Sequence, residues 1–216
     1  MHKVHLREAS DLEAYAHVVD RFRDPEQSSV LPAAVPVVTK EPGVPASREE
    51  MHAAWRALKD THQFHGMLRK LNLHRLDALG MADSDLAWRL DLEGTAKMLH
   101  GAVAIGLPIM AFVGSPGCIQ IHSGPIHNVS PMGPWINIFD DSFHLHLRLD
   151  QIVELWAVRK PTKDGHVTSV EAYAADRSLV IQFFGEREEG TDERRPWRDL
   201  AESLAPLAAA RQLAGV

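Results

Sequence analysis

The sequence predicts an α+β domain with N-terminal helices, a large antiparallel meander sheet and a closing C-terminal helix. Three observations predict it. Between residues 47 and 106 apolar side chains recur at helical spacing. From residue 108 to residue 186 the pattern shortens to alternation, in brief runs punctuated by Gly, Pro, Asn and Asp. The end, "ERRPWRDLAESLAPLAAARQLA" (193–214), returns to helical spacing with Pro196 in its first turn.

In chain order, "HKVHL" (2–6) alternates polar and apolar residues and suits a short strand. "SDLEAYAHVVDRF" opens on Ser10, a capping type, and keeps apolar residues at Leu12, Tyr15, Val18, Val19 and Phe22, which predicts a helix. Residues 23–47 carry five prolines and little periodicity, the signature of an extended linker. Ser47 with Glu50 three residues on forms a capping box that starts a helix in "SREEMHAAWRALKD". "THQFHGMLRKLN" predicts a second helix, separate from or continuous with the first. "HRLDALGMA" is a helical turn ended by Gly80, and "LEGTAKMLHGAVAIG" is a helix that stops at Gly106. Seven strand-like runs follow: "PIMAFVG", "CIQIHSG", "PWINIFD", "FHLHLRL", "IVELWAVRKP", "VTSVEAYAA" and "LVIQFFGE". The strand, charged turn and helix of residues 2–22 echo those that end the chain. The predicted organisation is therefore a strand–helix remnant of a preceding repeat (1–22), a Pro-rich linker (23–47) and one complete α+β domain (48–216).

Composition narrows the function classes. With 216 residues, 45% hydrophobic and 24% charged, the chain has the make-up of a soluble globular protein with one good-sized core. A net charge of −6 gives no electrostatic footprint for nucleic acid. The longest apolar stretch, "VAIGLPIMAFVG", is broken by Gly106 and Pro108 and falls short of the roughly 20 residues that span a bilayer. The charged N-terminus has no signal-peptide apolar region. One cysteine, Cys118, excludes an intrachain disulfide and fits a reducing cytoplasm.

Thirteen histidines direct attention to metal or haem chemistry. There is no GxSxG, phosphate loop, dinucleotide fingerprint or CxxC, and Cys118 lies in a predicted strand where a packed thiol is the simpler reading. His62 and His65, three apart, share a helix face. His144 and His146 share a strand face. Four imidazoles could bind zinc, although no HExxH accompanies them; the plainer reading of the strand pair is a half-exposed polar face. Haem needs an axial ligand, a broad apolar and aromatic surface, and cations for its propionates. His62, Phe64, Met67 and Arg75 supply those ingredients in generic form.

Longer motifs carry a resemblance. "DTHQF" (60–64), "GCIQIHSGP" (117–125), "MGPWIN" (132–137), "LWAVRKPTKDG" (155–165) and "IQFFGEREEG" (181–190) resemble the cytoplasmic hemin-degrading and haem-trafficking family (HemS/ChuX-type), over about residues 48–200. The resemblance implies two tandem repeats, each a helical segment with an antiparallel sheet, of which the second is complete here and Met1 falls within the first. It implies haem b as cofactor or cargo, with His62 as the axial iron ligand. Arg75 corresponds to a cation near the propionates, and Phe112 to a ring packed on the porphyrin. Lys160, Gln182 and Arg187 correspond to polar or cationic groups at the haem edge. Phe184 stands where the family often has tyrosine, so the ring is kept without its hydroxyl. His65 replaces an aromatic residue; it is either a solvated neighbour of His62 or a ligand that takes over when His62 is removed or in a handover between ligation states. No residue here matches the distal arginine that the family's first repeat contributes, so the catalytic residues are left unassigned.

The expected function is haem binding in haem uptake and iron utilisation: storing haem from an importer, passing it to a downstream acceptor, or helping to degrade it. The alternatives are a haem-degrading enzyme that opens the porphyrin ring, or a non-catalytic half acting through assembly. Haem, an importer or acceptor, and a second copy in a homodimer are the expected partners, without nucleic acid or membrane insertion.

Overall fold

The computed structural model describes residues 6–26, 43–115, 117–188 and 190–207. The chain divides into two units, Met1–Glu41 and Pro42–Val216. In the first, α1 (Leu12–Phe22) begins at Asp11, whose side chain accepts from the Ala14 amide, so the cap is one residue later than Ser10. No α1 side chain is buried. Most of the predicted 2–6 strand, and residues 27–42 of the predicted linker, lie outside the described residues.

The second unit opens with the helices α2 (Arg48–Arg56), α3 (Gln63–Lys70) and α4 (Arg75–Met81). The Ser47–Glu50 capping box forms with both reciprocal bonds, at 2.8 and 3.2 Å. A turn around Asp60 separates α2 from α3. Asn72, at φ 53°, ends α3 in a left-handed conformation, and the Leu73 amide bonds back to the Leu68 carbonyl. Further on, α5 (Gly94–Ala104) stops at Gly106, φ 61°, by the same device.

The predicted strand runs form β2 (Ile109–Ser115), β3 (Cys118–Gly124), β5 (Trp135–Phe139), β6 (His144–Arg148), β7 (Glu154–Thr162), β8 (Gly165–Tyr173) and β9 (Leu179–Gly185). Two further strands, β1 (Ala87–Leu90) and β4 (Val129–Met132), have four residues each. Pro131 is accommodated in β4 because that strand pairs on one side only, at a sheet edge. The strands make two antiparallel sheets, one ordered β1-β7-β8-β9-β2-β3 and a smaller one ordered β4-β5-β6. A closing helix, α6 (Arg195–Ser203), carries Pro196 in its first turn and ends well before residue 214; residues 208–216 lie outside the described residues.

The large sheet buries residues on both faces. On one, Ala157, Val170, Ala172, Ile181, Phe183, Ile109 and Ala111 pack with α5, α6 and the small sheet. The α6 helix lies so close that a Cβ on Gly185 would fall 2.5 Å from Trp197, and the Trp197 indole donates to the Thr168 carbonyl. On the other face, α2–α4 press Met51, Trp55, Phe64, Leu68 and Leu79 against Val158 and Tyr173. The Trp55 indole donates to the Arg159 carbonyl and pins α2 to β7. This second layer covers β7 and β8 and leaves β2 and β3 open, with Ile119 and Ile121 both more than half exposed. No helix among the described residues is long and apolar enough to cross a membrane.

Candidate functional site

At the step between the helical layer and the open half of the sheet lies a cleft of about 530 Å³. Strand register sets its floor. Phe112 pairs with Gln182, which pairs with Glu171, and Met110 pairs with Phe184, which pairs with Ser169; these residues share one face because strand side chains alternate. Phe112 and Phe184 meet edge to face at 5.1 Å. Lys160 reaches in from β7, Arg187 from just beyond β9, Arg75 from the first position of α4, and His62 and His65 from the start of α3. The structure thus brings His62, Arg75, Phe112, Lys160, Gln182, Phe184 and Arg187 to one cleft.

A residue that does not stand out in the sequence organises this group. Glu171 is fully buried in β8. Its Oε2 accepts from Arg75 Nε at 2.8 Å and from the Tyr173 hydroxyl at 2.6 Å. Its Oε1 accepts from Arg75 Nη2 at 2.6 Å, Lys160 Nζ at 2.8 Å, Ser169 Oγ at 2.6 Å and Gln182 Nε2 at 2.9 Å. Burial alone would raise the Glu171 pKa; the Arg75 and Lys160 charges outweigh it and hold the carboxyl well below its usual range. Burial pulls Lys160 down to about 8, with Glu171 opposing the drop and Arg75 reinforcing it. Burial and the Glu171 charge push Tyr173 up, so its hydroxyl stays a donor. Phe64 lies beneath the cations, its ring centre 4.9 Å from the Arg75 guanidinium carbon and 5.3 Å from Lys160 Nζ. Two cations against one carboxylate leave the cluster suited to an anionic ligand group. A lysine amid the apolar residues of "AVRKP" was the signal for Glu171, because a buried ammonium needs a carboxylate partner.

The opposite wall is open. The His62 side chain is 85% exposed. Asp60 Oδ1 lies 2.7 Å from both the His62 amide and ring Nδ1. Those two contacts, the backbone one foremost, hold the Asp60 carboxyl below its usual range. His62 lines the cleft, and its Nε2 has no hydrogen bond among the described residues. His65 is also exposed and lines the same wall.

The imidazoles of β6 do not join this pair: His146 Nδ1 bonds Asn137 Oδ1 at 2.8 Å in the small sheet, and His144 stands beside it. Among the described residues no group of three or more His, Cys, Asp or Glu is placed to hold a metal ion. Cys118 is half-buried at the start of β3.

Known proteins share this arrangement of strands and helices. The model of the haemin-degrading HemS/ChuX domain matches residues 72–204. The chain belongs to the HemS/ChuX family. It is 41% identical to the hemin transport protein HemS of Yersinia enterocolitica over 201 residues, 92% of this chain and 57% of that protein. Among solved structures, holo-PhuS, a heme-binding protein from Pseudomonas aeruginosa, matches at 44% identity and a TM-score of 0.84, covering 94% of this chain and 59% of that one. ChuS, an E. coli heme oxygenase, matches at 36% identity and a TM-score of 0.80, over 93% and 59%. This HemS/ChuX chain therefore spans less than two thirds of the length of these relatives.

Proposed function

We propose that this chain binds haem b in the cleft and serves haem uptake and iron utilisation as a carrier, in the cytoplasm and as a homodimer that exchanges haem with an importer or acceptor. One observation carries the reading: an imidazole with an unengaged Nε2 lines a cleft that also holds an aromatic floor and the buried ammonium of Lys160 beside Arg75. His62 Nε2 would meet the iron, and Phe112 and Phe184 would pack on the macrocycle. Arg75, Lys160, Gln182 and Arg187 would serve the propionate edge, each charged contact worth about 1.5–3 kcal/mol. Burying the apolar macrocycle contributes more than any one of them. The test is hemin titration of wild type and His62→Ala. Wild type saturates with a Soret band; the variant binds at least tenfold more weakly, with a shifted band. An unchanged band and affinity would remove His62 as ligand.

The heme oxygenase named among the matching structures favours a second reading, ring opening with release of iron. Adding reductant to the loaded chain separates the two. A carrier keeps its Soret band, whereas a degrading enzyme loses it and gains bilin-type absorption.

A further inference from the structure

We propose that Asp60 is a positioning residue for iron ligation, its carboxylate holding the His62 ring by Nδ1 and presenting Nε2 to the metal. The proposal rests on His62 being the ligand and adds what selects that nitrogen. A neutral imidazole carries one N–H, and the nitrogen without it is the one that can ligate. Asp60 Oδ1 lies 2.7 Å from His62 Nδ1, so an ionised carboxylate there requires the hydrogen on Nδ1 and leaves the Nε2 lone pair free.

The carboxylate is itself fixed. The same oxygen accepts from the His62 backbone amide at 2.7 Å, which closes the turn into α3. The Lys59 carbonyl accepts from the Lys163 amide at 3.0 Å and ties that turn to the β7–β8 hairpin. The Lys59 amide donates to the Gln63 side chain at 2.9 Å. Asp60 therefore sits on the sheet's frame, whereas the imidazole is 85% exposed and has no other hydrogen-bond partner among the described residues to set its ring angle. His65, one turn on, has no carboxylate partner among the described residues. Asp60 thus distinguishes two histidines that spacing alone makes equivalent.

A hydrogen-bonded carboxylate also makes the imidazole a stronger donor to the metal. In a ferrous complex the carboxylate would strengthen the iron–histidine bond, and its negative charge would favour the ferric state.

The first measurement uses the full chain without hemin, labelled with 15N-histidine and kept at a pH where imidazoles are neutral. Long-range 1H–15N correlations give the tautomer of His62. Wild type is expected to hold the hydrogen on Nδ1. Asp60→Ser keeps a hydroxyl that can cap the turn but withdraws the partner of the ring, and His62 is expected to revert to the Nε2–H form that predominates in free histidine. The same tautomer in both proteins would overturn the proposal. Asp60→Asn, which preserves shape, cap and an acceptor oxygen, is the second variant. After loading and reduction its iron–histidine stretching frequency should fall and its reduction potential rise relative to wild type; values equal to wild type would overturn the proposal. Asp60→Ser should weaken hemin binding by about 10–100-fold, as loss of a partner behind a metal ligand does. The reading of His62 as ligand stands or falls separately, on the His62→Ala titration, whereas the tautomer is measured without haem.

Discussion

On one side of the cleft Glu171 is fully buried and accepts from five side chains, while on the other His62 stands on a turn, 85% exposed, with a single carboxylate behind it. The first is a preformed piece of the core. Its charges are desolvated by folding and held there by one another, so a ligand meets them already oriented. The second costs the fold almost nothing and contributes almost nothing to it. One cleft therefore pairs a rigid electrostatic wall, whose removal is a folding problem, with a projecting donor, whose removal is a ligand-binding problem.

The largest effect should come from breaking the wall. Glu171→Ala leaves Arg75 and Lys160 without their buried counter-charge and should cost about 3–5 kcal/mol of stability, read from the midpoint of urea unfolding. A small shift would mean that water reaches the cluster. Acid should sharpen the same contrast. The folded pKa of Glu171 lies below the unfolded value, so its contribution is complete above the unfolded value near 4.3 and fades as pH falls through the folded one. The stability gap between wild type and Glu171→Gln is expected to be widest above about pH 5 and to narrow on acidification. Lys160 behaves in the opposite range: between about 8 and its unfolded value the unfolded chain binds more protons, so its term adds stability as pH rises.

Removing the arm should do the reverse. His62→Ala is expected to leave the unfolding free energy, read from urea titration, within about 0.5 kcal/mol of wild type while weakening hemin binding at least tenfold. A destabilised variant would show that the arm belongs to the core after all. The smallest effect is reserved for Phe184→Tyr, which places a hydroxyl at the cleft. One added hydrogen bond, worth about 0.5–1.5 kcal/mol, should tighten hemin binding severalfold in a titration and leave stability nearly unchanged.

The two sides also differ in how visible they are in the sequence. His62 and the strand motifs around Phe112, Lys160 and Gln182 are short, local patterns, and the cleft gathers residues that those patterns name. Glu171 looks like one polar residue in an alternating strand, because what buries it comes from elsewhere: Lys160 across a hairpin, Gln182 from the next strand, and Arg75 from 96 residues away. The helix succession and the seven longer strands are legible by period. β1 and β4 are not, since four residues carry too little alternation and Pro131 argues against a strand unless its edge position is known. The insertion of β2 between β9 and β3 is likewise a product of long-range pairing that no local pattern announces.

Because α2–α4 cover only half of their sheet face, an apolar ligand on the other half takes the place of a missing layer of core. Such a ligand binds the folded chain and not the unfolded one, and so adds RT ln(1 + [L]/Kd) to the unfolding free energy, about 2.7 kcal/mol when free ligand is a hundredfold above Kd. If haem is that ligand, the melting temperature of the chain becomes a gauge of haem occupancy. Proteolysis, which acts on opened molecules, would then remove unloaded copies faster than loaded ones, tying the lifetime of the protein to the supply of its ligand.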